Sequence, residues 1–434
     1  MDAIPPEIVT EFVTYFNHES NENVRRANLC SCSLVSRTWR SVAQPLLFSR
    51  VILRLAPFIF RTPSARTLPG QLKIRSFVDV ISQSPHLSQH TGALWIEEPV
   101  STALPILESI ATAIPTLKQI RIFDGIYSET RHLLPCLKSL LNSEHLTGLS
   151  LLSVEISLEI FSNCPGLREL ELRDSKLFQT EVTQASNMAP VVSRARPRLD
   201  SLSISATSLE RILPSLTVPE DVLDLSRLRI LALYDSNRLP IPYAMFYSQF
   251  VDKVSPSLEC INLRPPTTYP RYLLLPPFPK MKNLRCLSAS LRDAHGNSPS
   301  DSFPWIVDLL SNLPHPEKLE EVYLHGTFRL EFKRAEFNPQ DENRRQRWTQ
   351  LDTIMTSPIF VRVRTVSICF YDDLSQEDKR DNLISRISGC LPGLFSQGRL
   401  SFEFCFPIYG GVHNDYRHWG ILQSGPWKHG VTYY

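Results

Sequence analysis

Leu167-Arg168-Glu169-Leu170-Glu171-Leu172 alternates charged and apolar side chains from Glu169 onward and follows the apolar segment Ile160-Phe161-Ser162-Asn163-Cys164-Pro165. On a strand this order sends Leu170 and Leu172 to one face and Glu171 to the other. The same Leu-x-x-Leu-x-Leu order, or its Ile and Val equivalents, recurs along the chain. Leu94-Trp95-Ile96 is a weak first copy; Leu117 to Ile122, Leu146 to Leu151, Leu199 to Ile204, Leu228 to Leu233 and Leu258 to Leu263 are stronger. Leu284 to Ala289, Leu319 to Leu324 and Val363 to Ile368 follow, and Leu400 to Phe404 closes the series. From Leu117 to Leu319 the first leucines are separated by steps of 29, 21, 32, 29, 30, 26 and 35 residues.

Most runs stand behind an apolar helical pattern, Phe77 to Ile81 and Ile106 to Ile114 being two such segments. A strand-plus-helix unit at this loose period is similar to the leucine-rich repeat, whose copies run about 20 to 29 residues and stack because none buries its apolar side alone. The resemblance implies an irregular α/β solenoid over residues 70–406. Its strand middles form a concave target surface: Trp95, Arg121, Ser150, Glu171, Ser203, Ala232, Asn262, Ser288, Tyr323 and Ser367. That mixture is neither acidic, basic nor greasy, which suits a protein or peptide ligand. The Asn or Cys that usually follows the last leucine of the repeat is missing, as in Leu172-Arg173-Asp174-Ser175 and Leu263-Arg264-Pro265-Pro266, so irregular turns are expected. Leu177 to Pro197, the proline-dense Arg264 to Pro279, and Glu331 to Arg347 read as surface loops. Pro407 to Tyr434 carries no repeat and reads as a cap or tail.

Ahead of the repeats, residues 1–55 read as a helical module. Pro5 and Pro6 precede Ile8, Val9, Phe12, Val13 and Phe16, one wide apolar stripe. The polar run His18 to Asn23 reads as a loop, after which Leu29 and Cys32, then Val35, Trp39, Val42, Ala43 and Leu46, restore helical spacing. A module this small with so much apolar surface is a marginal folding unit, and part of that surface must meet something outside it.

Pro5-Pro6-Glu7-Ile8 and Leu34-Val35-Ser36-Arg37-Thr38-Trp39 resemble the F-box, and Cys32 to Trp39 followed by Leu47-Phe48 is similar to the F-box-like proteins abundant in fungi. The polar stretch from Asn17 to Arg25 is longer than the usual module has. The resemblance implies docking on the Skp-family adaptor of an SCF-type ubiquitin ligase, and through it on a cullin scaffold, by Pro5, Pro6, Glu7, Ile8, Leu34, Val35 and Trp39. The chain would then be the substrate-recognition subunit, without cofactor or catalysis of its own. The alternative is a leucine-rich interaction scaffold not linked to ubiquitination, whose head merely caps the repeats; Ile8, Phe12 and Trp39 would then all face inward.

Composition agrees with a folded, globular chain. Its 434 residues are 42% hydrophobic and 21% charged, and the net charge of +2 gives no electrostatic case for nucleic acid or an anionic membrane. Nine cysteines without a Cys-x-x-Cys pair, a start at Met1-Asp2-Ala3 without a basic-then-apolar leader, and no membrane-length apolar run predict a cytoplasmic or nuclear protein. Signals for chemistry are weak. Gly296-Asn297-Ser298-Pro299-Ser300 lacks the final glycine of a nucleophile elbow, and Gly410-Gly411 lacks the lysine of a phosphate loop. His413, Asp415, His418 and His429 do not follow zinc spacings, so no metal site is expected there. Cys30 and Cys32 read as helix packing, and Arg344-Arg345-Gln346-Arg347 beside Trp348 as a solvated helix start.

Overall fold

A computed structural model describes residues 4–17, 22–54, 67–97, 109–110, 112–123, 140–157, 160–161, 164–173, 175–178, 196–205, 208, 223–234, 250–263, 281–290, 303–326, 342–371 and 377–405. The Gly296 to Ser300 string, the tail from Pro407, and most of the three insertions lie outside these residues. The chain divides into two compact units, Met1–Arg227 and Leu228–Tyr434.

The first unit opens with three helices, α1 (Pro6–Asn17), α2 (Glu22–Val35) and α3 (Arg37–Phe48). The stripe read from α1 splits between two environments. Val9 and Val13 join Leu29, Cys32 and Ala43 in a buried cluster, against which Phe16, Trp39, Val42, Leu46 and Leu47 pack. Arg25, also buried, ties the helices together: its Nη1 donates to Asn17 Oδ1 at 2.9 Å and to the Leu46 carbonyl at 3.3 Å. Two expectations need correction. The polar run ends sooner than expected, because Glu22 and Asn23 already belong to α2. Val35 does not continue the stripe of Trp39, because Ser36 is extended and caps α3, its Oγ accepting from the Trp39 N–H at 3.4 Å.

After Ser49 the chain enters β1 (Arg50–Arg54). Next come α4 (Thr67–Gln83), α5 (Pro85–Ser88), β2 (Ala93–Glu97), β3 (Gln119–Phe123), β4 (Gly148–Leu152), β5 (Glu155–Ser157), β6 (Glu169–Arg173), β7 (Lys176–Phe178) and β8 (Ser201–Ser205). β1, β2, β3, β4, β6 and β8 are parallel neighbours in that order, while β5 and β7 form a separate parallel pair. β7 corrects the reading of Leu177 to Pro197 as loop throughout. The head is tied to the sheet by Ser49, whose carbonyl accepts from the Gly92 and Ala93 N–H groups.

In the second unit, β9 (Ile230–Tyr234), β10 (Cys260–Leu263), β11 (Cys286–Ser290), α6 (Phe303–Ser311) and β12 (Glu321–Gly326) come first. They are followed by α7 (Glu342–Met355), β13 (Thr365–Tyr371), α8 (Glu377–Cys390), α9 (Pro392–Ser396) and β14 (Leu400–Cys405). Here too the six strands are parallel and ordered as they occur in the chain. Every run read from the sequence therefore holds a strand, and the protein is mixed α/β. The apolar positions line up in register: Leu94, Ile120, Leu149, Leu170 and Leu202 in one unit, and Leu231, Ile261, Leu287, Val322 and Val366 in the other, all buried.

Two ladders of hydrogen bonds link successive strand units. In the first unit Ser175 Oγ donates to the Leu151 carbonyl at 2.8 Å, and Ser208 Oγ donates to the Ser175 carbonyl at 3.0 Å and accepts from the Ser175 N–H at 3.1 Å. Buried serines thus satisfy turn backbone that would otherwise go without partners. In the second unit, Arg229, Glu259, Arg285, Glu320 and Arg364 each follow the first apolar residue of a run and alternate in sign. Their backbones are linked in that order, each N–H donating to the carbonyl before it. Arg229 pairs with Glu259 at 2.7 Å and Arg285 with Glu320 at 2.8 Å.

The hydrogen bond from Arg229 holds the Glu259 carboxyl below its ordinary range against a partial burial that opposes it, with the charges of Arg229 and Arg285 adding to the effect. A carboxyl depressed in the folded state stabilises above its unfolded pKa and loses that contribution as pH falls through the folded value. Because Arg229 is more than half exposed, Glu259→Gln should cost only about 0.5 kcal/mol in low salt and about nothing in 1 M NaCl. Urea unfolding at the two salt concentrations measures this, and a loss that ignores salt would show that packing rather than charge is responsible.

Candidate functional site

Two surfaces carry the predicted site residues, one on the helical head and one on the strand middles. On α1, Ile8, Phe12 and Tyr15 lie at steps of four and three residues along one side of the helix, and all are exposed, as is Ile4 just ahead of it. Ile8 keeps 53 % of its surface and Phe12 49 %. Pro5, Pro6 and Glu7 are exposed as well. At the end of α2, Leu34 is 77 % and Val35 63 % exposed. Trp39 is half-buried: its ring meets that of Phe12 edge-on, with centroids 5.5 Å apart, and it packs on the head's core. The head therefore completes a small core and still leaves Ile8, Phe12, Leu34 and Val35 uncovered. Ile8 and Phe12 are not turned fully inward, the arrangement that would favour the capping alternative.

The strand middles fall into one register row in each unit. Trp95, Arg121, Ser150, Glu171 and Ser203 are successive partners in the first, and Ala232, Asn262, Ser288, Tyr323 and Ser367 in the second. They are less accessible than an open face would make them. Ser150, Glu171, Ala232, Asn262, Ser288 and Ser367 are buried, and Trp95, Arg121, Ser203 and Tyr323 are half-buried. At a strand spacing of about 4.8 Å, a short side chain between longer ones is shaded by them, and the sequence pattern reports direction, not depth. Asn262 Oδ1 and Ser288 Oγ, on paired residues, are enclosed without a hydrogen-bond partner. Tyr323 stacks on His325 two residues along, with ring centroids 6.4 Å apart.

The strand order matters for what these units can do. Doubly wound sheets bind ligands where the strand order reverses, and among the described residues neither unit shows such a reversal. Among the described residues no helix is long and apolar enough to cross a membrane, and no group of His, Cys, Asp and Glu is arranged to hold a metal ion. His413, Asp415, His418, His429, Gly410 and Gly411 lie outside the described residues. The described cysteines are free thiols. Cys32 packs in the head's core, Cys30 is exposed, and burial pushes the Cys164 thiol up to about 12, which keeps it protonated and unreactive. Trp348 is buried in α7, so it offers no stacking platform beside Arg345.

Sequence reasoning missed one arrangement on the first row. Arg50 on β1 and Arg121 on β3 both lie over the Trp95 ring, at 4.7 Å and 5.0 Å from its centroid. The alternation places Trp95 and Arg121 on one face, but nothing local marks Arg50 as their neighbour, because the pairing spans more than forty residues of intervening chain. No protein-family model matches the chain, and no curated protein matches it.

Proposed function

We propose that the chain is the substrate-recognition subunit of an SCF-type ubiquitin ligase. Its F-box-like head docks on a Skp-family adaptor, and through it a cullin scaffold, while a leucine-rich-repeat sheet face holds a target protein. The observation that carries the reading is the exposure of Ile8, Phe12, Leu34 and Val35 on a helical head that has a buried core of its own. Exposed apolar side chains concentrated on one small helical module mark a partner site. Ile8, Leu34 and Val35 are among the residues through which the F-box resemblance predicts docking. A standard interface of about 800 Å² per partner is within the reach of three helices.

The solenoid reading draws on parallel strands added in chain order, in-register apolar rows, and ladders that connect successive turns through serine. Each strand unit contacts its neighbours as stacked repeats do. Such a subunit does its work by proximity: holding target and conjugating enzyme together raises their effective concentration without any catalytic group in the chain. The reading puts the protein in the cytoplasm or nucleus.

Co-purification of the full chain with a Skp-family adaptor tests the proposal. Recovery of a stoichiometric complex is the expected result. A monodisperse chain that captures no adaptor would overturn it and leave the scaffold alternative standing.

A further inference from the structure

The turn that leads into β13 reads Ile359-Phe360-Val361-Arg362-Val363-Arg364. Phe360 and Val363 are buried and fix it to the core of the carboxyl-terminal unit, while the other four residues stand exposed. Val361 keeps 73 % of its surface and Ile359 55 %. Phe395 on α9 keeps 60 %. These three are the large apolar side chains that stand exposed in this unit among the described residues.

The register brings them together. β13 pairs Val366 with Leu400 on β14, and Val361 and Phe395 each precede that pair by five residues, so they hold equivalent places in adjacent strand units. Arg399 locks the two segments side by side: its N–H donates to the Leu394 carbonyl at 3.1 Å and its Nη2 to the Phe360 carbonyl at 2.8 Å. The carboxylates of neighbouring elements are engaged elsewhere. Glu320 pairs with Arg285 at 2.8 Å, Glu317 with His315 at 3.0 Å, and Asp352 accepts from the Gly393 and Leu394 amides. Neither the Arg362 nor the Arg364 side chain has an ion pair among the described residues.

We propose that this corner docks a short segment of a partner protein in which large apolar side chains are followed by Asp or Glu. The apolar residues rest on Ile359, Val361 and Phe395, and the carboxylates take the forked N–H donors of Arg362 and Arg364. Exposed apolar side chains grouped on one surface mark a contact site, and the guanidiniums beside them set the sign of what it accepts. This surface is separate from the adaptor-docking head and from the sheet face, and depends on neither.

Other occupants fit less well. A second copy of the chain would set arginine against arginine, with no acid in the patch to answer it. An anionic membrane is held by clusters of about four to eight Lys or Arg, more than this corner offers. Nucleic acid needs a broad basic face with stacking aromatics. Three apolar side chains and two arginines make a contact well below a standard interface of about 800 Å² per partner, so binding is brief and salt-sensitive.

The test is retention of the full chain on dense arrays of peptides of about twelve residues carrying Leu or Phe at two positions, the positions that follow being filled by Glu, Gln or Lys. In about 50 mM salt the Glu set should be retained at least about threefold better than the Gln set, and the difference should vanish in about 1 M salt. Arg362→Gln with Arg364→Gln should abolish the Glu preference, while Arg362→Lys with Arg364→Lys should keep part of it. Val361→Ser with Phe395→Ser should lower retention of the Glu set at least about tenfold. Val80→Ser, at an exposed apolar position on α4, should leave it unchanged. Should a variant fail to fold by circular dichroism, a benzophenone at the centre of a Glu peptide decides on the unaltered chain, where labelling should fall within residues 359–364 and 392–399. Equal retention of the Glu and Gln sets overturns the assignment, as do a Glu preference that survives in the folded Gln variant, retention indifferent to Val361→Ser with Phe395→Ser, or labelling outside those residues. Vesicles of phosphatidylserine and phosphatidylcholine bound more tightly than Glu peptides, or self-association of the chain that Val361→Ser with Phe395→Ser removes, overturn it as well.

Discussion

Replacing Ile8 and Leu34 together by glutamate is expected to weaken adaptor binding at least about a hundredfold while moving the melting temperature by no more than about 2 °C. The two halves of this expectation have different causes. Ile8 and Leu34 are among the more exposed apolar residues of the head and lie outside its buried cluster, and substitutions at such positions usually change stability by less than about 0.5 kcal/mol. Glutamate is also a better helix former than isoleucine, and near the start of α1 it complements the helix dipole. Near the end of α2 it opposes the dipole, at a cost of a few tenths of a kcal/mol.

Against a docked partner the balance reverses. Each carboxylate would be enclosed beside apolar groups with no counter-charge, and two such groups cost well over about 3 kcal/mol together. Trp39→Ala gives the necessary contrast. Trp39 packs on the head's core and against Phe12, so its loss should lower stability and binding together. Isothermal titration against a purified adaptor, with thermal melts of each variant, separates the cases. Undiminished affinity in the double glutamate variant would remove these residues from the docking site. A large fall in its melting temperature would show that they are covered in solution.

What the sequence made legible was whatever depends on neighbours within one run. Leu170 and Leu172 could be assigned inward from alternation alone, and their buried positions follow. Val9 and Val13 could be placed on a helical stripe, but the stripe was wider than the core it feeds, so spacing could not tell that Ile8 and Phe12 stay outside. The illegible features depend on what sits one repeat away, some 20 to 35 residues along the chain. Ser175 and Ser208 are unremarkable letters until their turns are brought together. The Arg229, Glu259, Arg285, Glu320 and Arg364 ladder did leave a readable trace, an alternation of sign at the residue after each first apolar position. Reading it requires aligning the runs and comparing charges down the column. The enclosure of Ser288 and Ser367 left none, because depth on a face depends on the length of neighbouring side chains.

Asp352→Ala should destabilise the carboxyl-terminal unit by about 3 kcal/mol, the sum expected for losing two charge-assisted hydrogen bonds to backbone. Asp352 lies on α7, and its carboxylate reaches the start of α9, 41 residues ahead. Oδ2 accepts from the Gly393 N–H at 2.9 Å and Oδ1 from the Leu394 N–H at 2.8 Å. The first N–H groups of a helix have no partner within it. The residue at the usual capping position of α9 is Leu391, which supplies no side-chain acceptor. Asp352 thus does from a distance what a local Ser or Asp would otherwise do. Leu391 and Leu394 are fully enclosed, so water cannot readily take its place at the Leu394 amide. Asp352→Asn keeps one oxygen acceptor and should cost about half as much.

Gly393→Ala probes the same joint from the other side. A methyl group there would lie 2.8 Å from Asp352 Oδ2 and 2.8 Å from Thr356 Cγ2, forcing the helices apart at a cost of about 1–3 kcal/mol. Urea unfolding followed by circular dichroism gives the free energies, and hydrogen exchange at the Gly393 and Leu394 amides reports the joint directly. Exchange at both should accelerate in Asp352→Ala and less in Asp352→Asn. Since α7 and α9 belong to the carboxyl-terminal unit and Ile8 and Leu34 to the amino-terminal one, adaptor binding should survive the substitution. Stability within about 0.5 kcal/mol of the parent, with amide exchange unchanged, would mean that the carboxylate does not hold α9 in solution.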